Sequence, residues 1–155
     1  MGLTVLAAIR PDDVNVALLV HVLGAMVLVG ALVTSAAAGI VGWRDEAATL
    51  RRLSYKTLLF AALPGFIVMR VGAQWVYSEE QLDELPEDPG WVELGWVTSD
   101  LGGILLLLAL VLGGIGLRQS RSGRGGGLLR VSSALATVLV AVYVVAVWAM
   151  GAKPD

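Results

Sequence analysis

The sequence predicts an all-α membrane protein, an antiparallel bundle of four transmembrane helices with both ends of the chain outside. Of its 155 residues, 57% are hydrophobic and only 15% are charged, against about 25% charged residues in water-soluble domains. Four apolar runs reach the length of about 20 residues that a bilayer requires. The loops between these runs are alternately basic and acidic. Together these features predict one membrane domain over residues 14–150.

The first run covers residues 14–41 and ends at Gly42, Trp43 and Arg44. Residues 1–13 are expected to form a short outer arm at the membrane interface. Residues 1–9 lack the basic start of a cleavable signal peptide, and this stretch is too short to span a bilayer.

The other three runs cover about residues 53–77, 91–117 and 128–150, and residues 151–155 form an expected outer tail. Pro64 lies near the middle of the second run and is expected to kink that helix, because proline removes a backbone hydrogen bond. Residues 104–116 and 138–150 are apolar on all sides. A soluble helix would have a polar face, so lipid is the expected solvent.

The loop charges predict the orientation. The first loop carries Arg44, Arg51, Arg52 and Lys56, and the third carries Arg118, Arg121, Arg124 and Arg130. Between them, Glu79–Glu93 holds seven acids and no base. Because basic loops stay on the cytoplasmic side, we expect a multi-pass protein of the plasma (bacterial inner) membrane. Its first and third loops would be cytoplasmic, and its acidic loop and both termini outside.

Composition also argues against several functions. The chain has no cysteine, which excludes disulfides and thiolate chemistry. It has no basic stripe with interleaved aromatics, so nucleic acid is not an expected partner. A P-loop, a Gly-x-Ser-x-Gly elbow and a His-Glu-x-x-His motif are all missing. An enzyme is therefore not the expected function.

Four polar side chains inside the runs define one layer: His21, Arg70, Asp100 and Tyr143, one from each run. At 1.5 Å per residue, each lies roughly 10–14 Å below the outer end of its helix. Gln74 lies one turn outward from Arg70 on the same face. We expect these five residues to form a ligand-binding cleft that opens to the outside.

Arg70 requires a carboxylate partner, because arginine stays charged in proteins and a charge inside the bilayer costs roughly 2.5–3.5 kcal/mol on insertion scales. Asp100 is the acid at the same depth. The pair either locks two helices together or shapes a site for a ligand, a proton or a lipid head group.

His21, the only histidine, has three interpretations. It is a packing residue bonded to Tyr143 or Asp100, a protonation switch, or a ligand of a metal or of haem b. A haem would need Met69, Met150 or the His21 of a second protomer as its other ligand. Gly24 and Ala25 would leave room beside the ring for a ligand or for a partner helix.

Small residues let helices approach closely in lipid, and they recur in three of the runs. The sets are Gly30, Ala31, Thr34, Ser35, Ala38, Gly39 and Gly42; then Ala109, Gly113 and Gly116; then Ser133, Thr137 and Ala141. Apart from the lipid bilayer, the partner is left open between a homo-oligomer and a larger membrane complex.

The segment His21-Val22-Leu23-Gly24-Ala25, followed by Gly30 and a four-span plan, resembles a group of predicted bacterial integral membrane proteins of unknown function. That group is loosely similar to copper-resistance-D-like membrane proteins. The resemblance implies His21 as a candidate ligand, but the chain lacks the further His and Met residues expected of a copper-handling protein. The leading hypothesis is a binding or transport-related protein. The alternatives are a b-type haem protein in membrane electron transfer and an accessory subunit of a larger complex.

Overall fold

The computed structural model describes residues 12–44, 47–81 and 90–152, which are almost entirely helical. The elements are α1 (Asp12–Arg44), α2 (Ala48–Thr57), a π-helical segment (Leu58–Ala62), α3 (Leu63–Glu79), α4 (Gly90–Gln119), a 3-10 turn (Ser120–Ser122) and α5 (Gly126–Ala152). Within the described residues, 4 helices are long and apolar enough to cross a membrane: Asn15–Arg44, Ala48–Glu79, Gly90–Gln119 and Gly126–Ala152. The predictions of an all-helical fold and of four candidate spans are confirmed.

The helices extend beyond the predicted spans, most clearly at the start of the second one. This span begins at Ala48, so Arg51, Arg52 and Lys56 belong to α2 and not to a loop. In α2, Ser54 is buried and Arg52 is exposed. Because Arg52 faces away from the core of the bundle, this charged helix can continue beyond the apolar layer. The predicted outer arm (up to residue 11), the centre of the acidic loop (82–89) and the end of the tail (153–155) lie outside the described residues.

The surface of the bundle is apolar. In the apolar windows of the four spans, only 22% to 33% of residues are buried. Large side chains such as Phe60, which is 72% exposed, cover the outside. Soluble monomers rarely carry contiguous apolar patches of this extent. The exposed surface therefore fits lipid, in agreement with a multi-pass membrane protein.

Helix α1 packs against the second span through three glycines. A Cβ atom added to Gly72 would lie 2.5 Å from the backbone nitrogen of His21, and one added to Gly65 would lie 2.8 Å from that of Leu28. Gly24 likewise meets the backbone of Met69. The two backbones touch because no side chain separates them.

Helix α5 packs against both α1 and α4, whereas α3 and α4 contact each other at few points. The centre of the bundle is filled by leucines that are at most 1% exposed: Leu28, Leu32, Leu58, Leu106 and Leu139. The edge between α3 and α4 is therefore the open side of the bundle.

Buried hydroxyls join the helices at the end of the bundle away from Arg70. The Ser35 hydroxyl lies 3.0 Å from both the Ser54 carbonyl oxygen and the Ser54 hydroxyl, which in turn lies 3.3 Å from the Ser133 hydroxyl. Ser132 donates to the Ala109 carbonyl at 2.8 Å. Gly39 allows this approach, since a Cβ there would collide with Ser133.

The sequence predicts a kink at Pro64, and the structure has a π-helical segment close before this residue. The Leu63 N–H bonds to the Leu58 carbonyl, five residues back, in the turn that directly precedes Pro64. A π turn of this kind accommodates a residue that cannot donate a backbone hydrogen bond.

Candidate functional site

Arg70 of α3 and Asp100 of α4 form an ion pair across the open edge of the bundle. Arg70 Nη2 lies 2.7 Å from Asp100 Oδ1. The Arg70 side chain is 33% exposed and that of Asp100 is 65% exposed. The pair predicted from the common depth of these residues is therefore present. The pair lies at the side of the bundle, and the Asp100 carboxylate is on the exposed surface of the bundle.

Trp96 covers the guanidinium. The Cζ atom of Arg70 lies 4.2 Å from the Trp96 ring centroid, within range of a cation–π interaction. Trp96 is one turn before Asp100, so one face of α4 supplies both the carboxylate and the ring. Tyr77 of α3 meets Trp96 edge to face, with centroids 5.6 Å apart. These aromatics limit how far the Arg70 side chain can move.

Tyr143 of α5 brings a hydroxyl to the same region. A Cβ atom added to Gly102 would lie 2.5 Å from this hydroxyl oxygen, so the hydroxyl rests against the backbone of α4. Gly102 is two residues after Asp100 in α4, so the hydroxyl lies near the depth of the ion pair. Phe66 of α3 covers Gly103, where an added Cβ would lie 2.7 Å from Cζ of the ring. Phe66 thus closes the inner side of the site.

Two donors of the site are buried without a partner. Neither Arg70 Nη1 nor the Tyr143 hydroxyl makes a hydrogen bond within the described part of the chain. Leaving a buried polar group unsatisfied costs about 1–3 kcal/mol, and more for a charged group. Each of these two groups thus keeps an unused hydrogen-bond donor within the described residues.

His21 is half-buried, and its ring bonds to α3. Nδ1 lies 2.9 Å from the Met69 carbonyl oxygen. A carbonyl oxygen only accepts, so Nδ1 is the donor in this bond and Nε2 is the other ring nitrogen available to a partner. The partner expected from the sequence was Tyr143 or Asp100, and the observed partner is a backbone carbonyl. The room expected beside Gly24 is filled by the partner helix α3.

The predicted site residues fall into two groups. Arg70 and Asp100 form a pair between α3 and α4, and the Tyr143 hydroxyl rests against α4 at Gly102. His21 bonds to the residue that precedes Arg70. Gln74 is exposed, and in the described ranges it has no side-chain hydrogen bond. In the same ranges, no group of three His, Asp or Glu side chains is placed to hold a metal ion.

Sequence reasoning missed the role of Trp96 in the site. The sequence places Trp96 on the same helix face as Asp100, but it does not show that the ring contacts the guanidinium. Its four-residue spacing from Asp100 could have indicated the contact, because whatever pairs with Asp100 also comes within reach of residue 96. Phe66 and Gly102 carried no such signal, since helix rotation decides whether they face the site.

Comparison of the chain with protein families, with curated proteins and with solved structures gives no match. The resemblance stated above thus stays an expectation. Arguments about function depend on the geometry of the site.

Proposed function

We propose that this chain is a small integral membrane protein of binding or transport-related function, whose polar site lies between α3 and α4 in the outer half of the membrane. Its four helices would cross the plasma membrane in alternate directions, with both termini and the acidic loop outside. The charge distribution supports this orientation, because Arg51, Arg118 and Arg130 lie at the helix ends that meet away from the site.

One observation carries the binding proposal. Beside the Arg70–Asp100 pair, a guanidinium nitrogen and the Tyr143 hydroxyl are buried and lack partners within the described residues. Both are donors, and the pair itself is neutral overall. A carboxylate or a carbonyl oxygen is the group that two such donors would bind. A ligand would have to enter from the side where Asp100 is exposed.

The test is a thermal-stability screen of the purified protein in detergent. Sodium acetate, benzoate and succinate would be compared with sodium chloride at equal ionic strength. A ligand at 100 times its Kd stabilises the folded state by about 2.7 kcal/mol. We expect at least one carboxylate to raise the melting temperature of the wild type, and Tyr143→Phe to abolish that rise.

Tyr55→Phe is the matched control, because Tyr55 packs on Gly113 and Gly114 away from the site. It should keep the full response to the carboxylate. The proposal fails if no carboxylate stabilises the wild type more than chloride does, or if Tyr143→Phe responds like Tyr55→Phe.

A second experiment separates a structural ion pair from a binding one. Breaking a buried pair by removing one partner costs about 3–5 kcal/mol, and the exposure of Asp100 places this pair below that range. Asp100→Asn should still lower stability in detergent more than the double change with Arg70→Met. If the double variant loses as much as both single variants together, the residues are not energetic partners. If Asp100→Asn changes stability but not the carboxylate response, the pair is a structural lock.

A specific observation also supports the haem alternative. Metal-bound histidines usually donate their second N–H to a carbonyl or a carboxylate, as His21 does to Met69. Nε2 would then hold the iron of a haem b. The absorbance spectrum of the purified protein decides this. A Soret band that disappears in His21→Ala would support haem, and a spectrum without one would eliminate it.

A further inference from the structure

A cavity of about 250 Å³ lies at the end of the bundle away from Arg70. Its described lining comes from three helices and consists of Trp43 of α1, Arg51 of α2, and Gly126 and Arg130 of α5. Two of these four residues are cationic and none is acidic. The volume is below the range of about 300–1,000 Å³ typical of drug-sized ligands. The cavity therefore fits a small anionic group.

Arg51 is fixed in this cavity. Its Nη1 donates to the Gly42 carbonyl oxygen at 2.9 Å, near the end of α1. Gly42 leaves room for the arginine, since a Cβ there would lie 3.1 Å from Arg51 Cγ. A guanidinium has five N–H donors in a planar fork. The bond to Gly42 orients the group and leaves most of its donors available.

Trp43 adds a neutral donor. Its indole nitrogen is buried and has no hydrogen-bond partner within the part of the chain that the structure describes. A buried N–H without an acceptor is costly. Arg130 is exposed and lies just after the start of α5 at Gly126. The cavity is thus lined by two cationic side chains and by a tryptophan whose indole N–H has no partner within the described residues.

We propose that this cavity binds a phosphate group, supplied by the head group of an anionic lipid in the adjacent leaflet. Arg51 and Arg130 would neutralise the phosphate, and the Trp43 N–H would donate to one of its oxygens. Basic pockets between transmembrane helices on the cytoplasmic side are typical head-group sites. The acyl chains would lie against the apolar outer surface. Soluble phosphate has the same chemistry and is tested separately.

The experiment is native mass spectrometry of the full chain in detergent. The protein is titrated in separate series with phosphatidylglycerol, phosphatidylcholine and inorganic phosphate. We expect one saturable phosphatidylglycerol adduct and no comparable phosphatidylcholine adduct. Trp43→Phe keeps a ring but removes the donor, and it should weaken binding about tenfold, the effect of losing one hydrogen bond to a charged group. Arg130→Gln should weaken it about fivefold, as expected for one basic residue near the membrane surface.

Two arginines that do not line the cavity provide matched controls. Arg52 follows Arg51 in α2, and Arg124 precedes α5; both are exposed. Arg52→Gln and Arg124→Gln remove the same charge and should leave the affinity unchanged. Melting temperatures of all variants identify any that fail to fold, and Trp43→Phe and Arg130→Gln test the site independently.

The outcomes separate the two sources of phosphate. Phosphatidylglycerol binding that depends on Trp43 and Arg130 supports the lipid site. If inorganic phosphate binds in a way that depends on Trp43 and Arg130, while phosphatidylglycerol and phosphatidylcholine bind equally, the site takes a soluble phosphate. The proposal is overturned if neither phosphatidylglycerol nor inorganic phosphate binds. It is also overturned if the Arg52 and Arg124 variants lose as much affinity as the Arg130 variant.

Discussion

The contact between α1 and α3 is tight enough for a single methyl group to test it. In Gly72→Ala, the new Cβ would lie 2.5 Å from the His21 nitrogen and 2.6 Å from its Cα, whereas ordinary contacts begin at 3.4 Å. Because both of these neighbours are backbone atoms, no side chain can rotate away. The helices must separate by about 1 Å, a gap that removes a quarter to a half of each dispersion contact.

Two opposing effects determine how far Gly72→Ala changes the free energy of unfolding. Alanine gains about 1 kcal/mol over glycine in a helix, and overpacking costs typically 1–3 kcal/mol, more where backbone must move. Subtracting the gain from the cost, we expect the free energy of unfolding to fall by up to about 2 kcal/mol. Gly30→Ala is the control, since an added Cβ there meets nothing within 4 Å. It should be neutral or stabilising by up to about 1 kcal/mol.

Unfolding in mixed micelles with increasing sodium dodecyl sulfate, followed by circular dichroism, measures both variants. The separation should also weaken the His21–Met69 hydrogen bond, which spans the same contact. If Gly72→Ala is as stable as Gly30→Ala, then the close approach of the two backbones is not what holds α1 to α3.

Three further predictions address orientation, the buried hydroxyls and the aromatic cover. The chain has no native cysteine, so single cysteines at Asp83 and Ser122 should react with an impermeant thiol reagent from opposite sides of intact cells; labelling from one side contradicts the orientation. Ser54→Ala should lower the free energy of unfolding in micelles by only about 0.6 kcal/mol, the mean for hydrogen bonds between membrane helices. The loss is small because Ser35 and Ser133 keep their carbonyl partners. A loss of several kcal/mol would contradict this. Trp96→Leu should cost about 0.5–2 kcal/mol through loss of the cation–π contact, and Trp96→Phe should cost less; equal losses would show that ring character is irrelevant.

Helix depth was the part of the site that the sequence could predict. The positions of Arg70 and Asp100 within their runs placed both at one level, and the cost of an isolated charge in lipid required them to meet. That reasoning needs only the rise per residue and the ends of the runs. It therefore predicted the ion pair without knowing which faces of the helices are in contact.

Helix rotation was the part that the sequence could not predict. The helix that a polar side chain faces depends on how the helices pack. Here the close glycine contacts place His21 against α3. Gly65 and Gly72 are seven residues apart on one face, a spacing that could have indicated this contact. The basic cavity also depends on tertiary structure, because Trp43, Arg51 and Arg130 come from three different helices.

The π-helical segment affects how this chain should be aligned with any relative. A π turn closes each hydrogen-bonded ring over one more residue than an α turn, so Leu58–Ala62 holds one residue beyond what a continuous α-helix would need. Leu58 and Ala62 are both fully buried, which keeps the inward face continuous from Ser54 to Gly65. A relative with a regular helix here would have one residue fewer, and the gap belongs in this segment. Placed elsewhere in the span, that gap would pair Arg70 or Ser54 with residues on the wrong face.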